Sequence, residues 1–238
     1  MAKVRSQFVC QSCGSTYPQW LGQCLQCKQW NTLVEEVRDR VEEKRGTPAS
    51  VKGRNPKPIA IDEIPAQDGP RIPLSDRELS RVLGGGLVPG SIILIGGEPG
   101  IGKSTLLLQT ALRNPDLRTL YVSGEESEHQ VKMRAERLEG TTRHGKEGCY
   151  VLTETNTQNI FKHIEALKPG LVVIDSVQTL HTATLDASPG SVGQVRECTA
   201  ELMRFAKATD VPMVLIGRCD QLLHGPTNER SRCDHQIA

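Results

Sequence analysis

Short apolar runs alternate with amphipathic segments through the C-terminal two-thirds of the chain. Four runs are apolar at nearly every position and as long as a strand: residues 91–96, 119–123, 171–175 and 211–217. Apolar residues recur with helical spacing between them, which predicts helices over residues 104–112, 127–138 and about 192–207. A further helix is predicted to carry Ile160, Ile164 and Leu167 on one face. Apolar strands that alternate with helices are typical of a parallel sheet covered on both faces. We therefore predict an α/β core.

Polar residues mark where two of the helices begin. Ser75-Asp76-Arg77-Glu78 fits a capping box, and the short helix that follows is expected to stop at the glycines of residues 84–86. Thr155-Asn156-Thr157-Gln158 fits a second capping box, whose helix ends before Pro169-Gly170. These signals place helix boundaries on both sides of the predicted strands.

The chain divides by composition into three parts. Residues 1–34 hold four of the eight aromatic side chains and two closely spaced pairs of cysteines. Residues 35–73 are charged and rich in proline without a sustained period, which predicts a linker with a short strand near residues 59–61. Residues 74–238 carry the α/β pattern. We expect a small N-terminal module, a linker and one larger domain.

Overall composition excludes several protein classes. The 238 residues are 37% hydrophobic and 24% charged, with a net charge of +1, which argues against a strongly basic nucleic-acid coat. No apolar run approaches the length of about 18 residues that spans a bilayer. The first eleven residues lack the apolar region of a secretory signal. We expect an intracellular, cytoplasmic protein without a membrane segment.

Four of the eight cysteines have the spacing of metal ligands. They follow the pattern C-x2-C-x10-C-x2-C: Cys10, Cys13, Cys24 and Cys27. Two such pairs bring four thiolates around one tetrahedral ion, so we predict a structural zinc ribbon that the metal folds. A redox pair and an iron–sulfur site are the competing interpretations, but a redox pair does not require the second C-x2-C. The other cysteines show no ligand spacing and are interpreted as small buried or incidental residues.

A glycine-rich motif follows the first core strand. Residues 97–104 read Gly-Glu-Pro-Gly-Ile-Gly-Lys-Ser, which fits the P-loop pattern G-x-x-x-x-G-K-[ST] between a strand and a helix. In such a loop backbone N–H groups surround phosphate oxygens, the lysine reaches the β- and γ-phosphates, and the serine binds Mg²⁺. The predicted nucleotide-binding residues are Gly97, Glu98, Pro99, Gly100, Ile101, Gly102, Lys103, Ser104 and Thr105.

Carboxylates follow two other strands. Asp175 ends an apolar strand in the manner of a Walker B acid, so it is expected to hold Mg²⁺ together with Ser104. Glu125 and Glu126 follow the strand at residues 119–123, and one of them is the candidate general base for hydrolysis. The alternatives are a plain acidic residue at a strand end and a solvated helix start, where glutamate is also favoured.

Several motifs together resemble the bacterial RadA (Sms) family of DNA-repair proteins. The cysteine pattern, the P-loop and three further segments carry the resemblance: Val82-Leu83-Gly84-Gly85-Gly86-Leu87-Val88-Pro89-Gly90-Ser91, Tyr121-Val122-Ser123-Gly124-Glu125-Glu126-Ser127 and Ser188-Pro189-Gly190-Ser191-Val192-Gly193-Gln194-Val195-Arg196-Glu197. The resemblance covers residues 8–217 and implies a RecA-like ATPase core behind the zinc ribbon. It implies ATP-dependent action on recombination intermediates as a hexameric ring that moves on single-stranded or branched DNA.

The resemblance also implies partners and residue roles. It implies partnership with a RecA-type recombinase through the zinc ribbon, Glu125 as the catalytic glutamate and Asp175 as the Walker B acid. Residues 181–193 stand where such folds place a DNA-contacting loop. ATP, Mg²⁺ and Zn²⁺ are the implied cofactors.

The C-terminal part departs from the family pattern. Family members carry a Lys-Asn-Arg-Phe-Gly motif and a Lon-protease-like domain that these residues do not contain, and residues 218–220 replace the usual His-Val-Thr. We expect an ATPase domain that is C-terminally incomplete or diverged. The alternatives are therefore a DNA-dependent ATPase, an ATP-binding interaction module with little hydrolysis, and a P-loop kinase of a small metabolite.

Overall fold

The protein contains a small antiparallel sheet and a larger parallel sheet. The computed structural model describes residues 5–38, 60–63, 71–139, 148–185 and 187–218. The N-terminal sheet is ordered β2-β1-β3, from strands β1 (Arg5–Cys10), β2 (Thr16–Tyr17) and β3 (Leu33–Arg38). β3 continues beyond the ribbon boundary predicted at residue 34, because its residues pair along the whole of β1.

The larger sheet has five parallel strands in the described residues. They are β4 (Ile92–Gly96), β5 (Thr119–Ser123), β6 (Cys149–Leu152), β7 (Leu171–Asp175) and β8 (Met213–Gly217), in the order β4-β8-β7-β5-β6. Four of them were predicted from their apolar runs. β6 was missed, since it is short and only partly buried at the sheet edge.

Five α-helices connect the strands of the described core. They are α1 (Arg77–Val82), α2 (Lys103–Arg113), α3 (Glu128–Glu139), α4 (Thr157–Leu167) and α5 (Val192–Thr209). Single turns of 3-10 helix occur at Ile61–Glu63 and Val177–Thr179. The first turn corrects the strand predicted near residues 59–61, of which residue 59 lies outside the described residues. The remaining predicted linker residues 39–58 and 64–70, and the tail from residue 219 with its two cysteines, also lie outside them.

Helices cover both faces of the parallel sheet, as predicted. Alternate side chains of β5, β7 and β8 pack against α4 and α5 on one face and against α1, α2 and α3 on the other. These three strands are buried at every position, whereas β4 at the edge is only partly covered. Burial of aliphatic side chains on two faces is the main stabilising contribution in such a core.

The register aligns the carboxyl ends of the strands. Ser123 of β5 lies opposite Asp175 of β7, and Gly96 of β4 lies opposite Gly217 of β8. The loops that follow β4, β5, β7 and β8 therefore leave the sheet at one edge. In open α/β sheets, ligands bind outside this carboxyl edge.

Candidate nucleotide and metal sites

Backbone geometry makes the loop between β4 and α2 a phosphate cradle. Gly97, Gly100 and Gly102 have φ angles of 158°, 84° and 95°, which side chains with a Cβ rarely adopt. A Cβ on Gly97 would also overlap the Ile101 side chain. Gly102 caps α2 in the left-handed conformation without a side-chain acceptor, so the first N–H groups of this helix remain directed at the loop.

The two polar side chains of the P-loop have different partners. Lys103 donates from Nζ to the backbone oxygens of Gly97 and Glu98, at 2.8 and 2.7 Å. Ser104 donates from Oγ to Oδ1 of Asp175 at 3.0 Å. Lys103 therefore lies across the loop itself, and Ser104 joins the loop to β7, 71 residues further along the chain.

Asp175 is a buried carboxylate with a donor on each oxygen. Its Oδ1 accepts from Ser104 and its Oδ2 accepts from the hydroxyl of Tyr121, while the Arg134 guanidinium lies 3.8 Å from Oδ2. Burial, and then the charge of Asp175, raise the pKa of Tyr121, so its hydroxyl stays protonated and donates. Ser104 Oγ and Asp175 Oδ1 are hard oxygen donors side by side, which fits Mg²⁺.

Glu125 and Glu126 differ in their surroundings. Glu125 accepts at Oε1 from the Ser176 hydroxyl at 3.1 Å, directly after the Walker B position. Glu126 forms an ion pair with Arg134 at 2.7 Å. Gly124 allows this arrangement because a Cβ there would overlap the Thr179 side chain. The structure therefore separates two glutamates that the sequence left equivalent.

A cleft of about 570 Å³ opens beside these glutamates. Its lining comes from two segments, Ser123–His129 after β5 and Thr153–Thr155 after β6. Glu154 in this lining accepts from the backbone N–H groups of Asn156 and Thr155, and these bonds, the first above all, lower its pKa. The cleft is acidic and Glu125 lines it, whereas none of its lining residues belongs to the P-loop.

Four cysteines converge in the N-terminal sheet. Cys10, Cys13, Cys24 and Cys27 place their Sγ atoms within 4.8 Å of one another. The Cys10–Cys27 and Cys13–Cys24 sulfur pairs are each 3.6 Å apart. Tetrahedral Zn–S bonds of about 2.3 Å imply sulfur separations of about 3.8 Å, so these residues fit zinc.

Hydrogen bonds prepare one of these thiols for metal binding. Burial works to raise the pKa of Cys24, but bonds from the Cys27 backbone N–H and the Tyr17 hydroxyl outweigh it and hold the pKa at about 6. Thiolates are the ligand form that zinc takes. Cys149 and Cys198 lie in the core, apart from this group, and burial raises the pKa of Cys198 to about 12.

Three residues at the nucleotide edge were missed from the sequence. Tyr121, Arg134 and Ser176 contact Asp175, Glu126 and Glu125 respectively. Tyr121 had a signal, since it places a hydroxyl between Leu120 and Val122 at the centre of a buried strand. Arg134 had none, because one arginine among the charges of α3 is indistinguishable without the fold.

Comparison with known proteins finds two matching family models and several similar proteins. A family model described as an AAA domain matches residues 71–218, and one described as a rubredoxin metal binding domain matches residues 8–35. DNA repair protein RadA of Halalkalibacterium halodurans is 47% identical over 220 residues, covering 91% of this chain and 47% of the relative. RadA of Bacillus subtilis is 46% identical with the same coverage, and RadA of Streptococcus pyogenes serotype M6 is 44% identical over 218 residues.

The chain spans about half the length of the curated relatives it matches. Among the described residues, no helix combines the length and the apolar character that a membrane span requires. The matches cover the P-loop core and the four-cysteine ribbon, in the same order along the chain. The chain therefore belongs to the AAA-domain family, and it is similar to DNA repair proteins named RadA.

Proposed function

We propose that this chain hydrolyses ATP while acting on single-stranded or branched DNA during recombinational repair. The convergence of Lys103, Ser104, Asp175 and Glu125 at one edge of the sheet supports the proposal most directly. The compared relatives are named DNA repair proteins. The relatives' names and the N-terminal zinc ribbon favour an ATPase of DNA repair over a metabolite kinase, because a zinc ribbon has no evident role in such a kinase.

The P-loop residues divide the binding of ATP between them. The backbone N–H groups of residues 97–104 bind the phosphates, and Lys103 exchanges its carbonyl partners for phosphate oxygens. Ser104 and Asp175 hold the Mg²⁺ ion. The ion supplies charge neutralisation on the phosphates. Glu98, Pro99, Ile101 and Thr105 complete the loop and the first turn of α2.

Glu125 acts as the general base. Ser176 holds its carboxylate at the end of β7, close to the Ser104–Asp175 pair. Glu126 is instead held in an ion pair with Arg134 at 2.7 Å, so its carboxylate already has a charged partner. Glu125 is therefore the carboxylate that takes the proton of the attacking water.

The loop of residues 181–193 contacts DNA. It follows β7 and its 3-10 turn, so it leaves the same sheet edge as the nucleotide site. The Gln194 side chain holds its first half, donating to the backbone oxygens of Leu185 and Ala187 at 2.8 and 3.0 Å. In this proposal the protein works in the cytoplasm as a hexameric ring, and its zinc ribbon takes part in binding a RecA-type recombinase.

Measuring ATP turnover with and without single-stranded DNA tests the proposal. We expect DNA to stimulate turnover, and higher salt to reduce the stimulation because phosphate contacts release counterions. Lys103→Ala should abolish turnover, whereas Lys132→Ala, which removes an exposed ion pair on α3, should leave it unchanged. Turnover that is indifferent to DNA would contradict the proposal.

A second function is ATP-dependent binding of DNA or a recombinase with little hydrolysis. Arg218 favours this second function. The residue directly follows β8, the strand between β4 and β7, at a position where the RadA family has a histidine. The purified chain separates the two functions when nucleotide affinity and turnover are measured together. Micromolar binding without turnover would support the second function.

A further inference from the structure

Tyr121 brings one polar atom into the apolar face of the sheet. Its side chain is fully buried in the middle of β5, among the leucines and valines that face α2 and α3. Its hydroxyl donates to Oδ2 of Asp175 and lies 3.5 Å from the backbone oxygen of Ser104. A buried tyrosine hydroxyl needs a partner, and here the partner is the predicted magnesium ligand.

The two oxygens of Asp175 therefore have separate partners. Ser104 occupies Oδ1 at 3.0 Å and Tyr121 occupies Oδ2, so rotation of the carboxylate would break one bond or both. The ring that carries the Tyr121 hydroxyl is held rigidly, because β5 pairs with β7 and places Tyr121 opposite Val173. The donor thus sits at a fixed distance from the acid.

Arg134 sets the direction of the Tyr121 hydroxyl. Its Nη2 donates to the Tyr121 oxygen at 3.1 Å, and the guanidinium lies over the ring, 5.9 Å from its centroid. Because the hydroxyl oxygen already accepts from Arg134, its own proton points to Asp175. Glu126 binds the same nitrogen at 2.7 Å, which anchors Arg134 and offsets its charge near the acid.

We propose that Tyr121 is a positioning residue that orients the Asp175 carboxylate so that Oδ1 faces Ser104 and the nucleotide-bound cation. Arg134 acts one step further out by directing the Tyr121 hydroxyl. The proposal rests on the proposed function, since it assigns Asp175 to magnesium. It adds a buried tyrosine hydroxyl on β5 to the groups that the cation site requires, and this group lies outside the P-loop and Walker B motifs.

The test compares ADP affinity with and without Mg²⁺ in the full chain. In Tyr121→Phe, which removes only the hydroxyl, we expect the gain in affinity from Mg²⁺ to fall about tenfold, as for loss of a hydrogen bond to a charged group. Affinity without added Mg²⁺ should be unchanged, because phosphate contacts with the P-loop remain. Tyr150→Phe, at an exposed position of β6, is the matched control and should keep the full gain.

The outcomes separate the two proposals. Absence of ADP binding by the unsubstituted protein would overturn the proposed function and this inference with it. A normal gain from Mg²⁺ in folded Tyr121→Phe would overturn the inference alone. Should Tyr121→Phe fail to fold, Arg134→Lys replaces it as the test variant. Arg134 is partly exposed, and lysine keeps the positive charge beside Glu126 but lacks the planar guanidinium that donates to Tyr121. We expect a loss of about threefold in the same ratio, and an unchanged ratio would contradict the proposal.

Discussion

Two adjacent glutamates have the same side chain and different chemistry. Glu125 accepts a hydrogen bond from Ser176, the residue after Asp175, whereas Glu126 forms an ion pair with Arg134. Glu125→Gln should lower kcat by about 10²-fold or more, which is the usual contribution of a general base, without weakening nucleotide binding. Steady-state turnover and ADP affinity, measured on the same preparation, check both parts.

Glu126→Gln is the matched variant for this comparison. It removes the same charge one residue away, so general loss of negative charge at the cleft affects both variants equally. We expect it to retain turnover within about tenfold, because it acts only through Arg134. A larger loss of turnover in Glu126→Gln than in Glu125→Gln would assign the general base to Glu126.

Ser176 holds Glu125, the proposed general base, through one hydrogen bond. Its hydroxyl donates to Oε1 of Glu125 at 3.1 Å. Ser176→Ala should reduce kcat about tenfold and leave ADP affinity unchanged, since a hydrogen bond to a charged group is lost outside the phosphate cradle. Ser123→Ala is the control, because that hydroxyl accepts only from the backbone N–H of Glu126.

A double-mutant cycle decides whether Ser176 acts through Glu125. In the Glu125→Gln background, Ser176→Ala should have little further effect, because the positioned carboxylate is already gone. Additive losses in kcat would show that Ser176 acts independently of Glu125.

At the residue scale, the sequence predicts those groups whose chemistry requires a local pattern. The P-loop was recognisable because its glycines and Lys103 are adjacent in the chain. Tyr121 and Arg134 could not be assigned, because their contacts with Asp175 depend on the β5–β7 register and on how α3 packs. Positions 54 residues apart become neighbours only in the fold.

Helices and strands were predictable where burial imposes a strict pattern. β5 and β7 lie at the predicted residues, because strands buried on both faces are apolar throughout. Both capping boxes were placed one residue early, since Asp76 and Asn156 are the N-caps and accept from backbone N–H groups of the first turn. Aspartate and asparagine are strong N-cap residues in their own right, so the structure uses them in place of the preceding Ser75 and Thr155.

α5 holds the predicted DNA-contacting loop through a buried carboxylate. Glu201 accepts from the Thr157 hydroxyl at 2.6 Å and from the Thr182 hydroxyl at 2.9 Å, one on each oxygen. It therefore ties the start of α4 to the start of the loop. Gln194, on the same face of α5, accepts from the Thr182 N–H at 2.9 Å.

Glu201→Leu should therefore destabilise the fold and loosen this loop. Two buried hydroxyls lose their acceptor, which costs about 1–3 kcal/mol each when they find no other. We expect a lower midpoint in denaturant and faster hydrogen exchange at residues 181–185. Glu197→Leu, which removes an exposed pairing with Arg204 on the same helix, should change the midpoint by well under 1 kcal/mol. Equal effects would contradict the bridging role of Glu201.

Zinc is expected to stabilise the N-terminal part of the molecule and not the larger domain. The ribbon buries a small cluster around Cys10, Cys24 and Leu33, too little apolar area to fold a segment of this size alone. Chelation should therefore unfold residues 8–35, while the AAA domain keeps its own unfolding transition, because its two apolar clusters contain no ribbon residue. Hydrogen exchange resolved by segment measures both, and a shared transition would contradict the expectation.

Tryptophan fluorescence is poorly suited to this measurement. Trp20 and Trp30 are 55% and 68% exposed in the folded ribbon, on either side of Gly22. Unfolding therefore changes their solvent contact little. The spacing of the cysteines was enough to predict the metal site, but the exposure of the indoles was set by the path of the chain between the cysteine pairs.

A contact between the ribbon and α5 links the two parts of the molecule. Arg196 donates to the backbone oxygens of Gly14 and Cys13 at 3.2 and 3.4 Å, across 182 residues of sequence. No sequence pattern predicts it, because backbone acceptors carry no residue signature. If zinc orders the turn that supplies these oxygens, as we propose, chelation should also release Arg196 and speed hydrogen exchange at residues 192–197. In Arg196→Ala this response at α5 should be lost, and in Arg204→Ala, an exposed arginine of the same helix, it should remain. An α5 that ignores chelation in the unsubstituted protein would show that the ribbon and the ATPase core are independent.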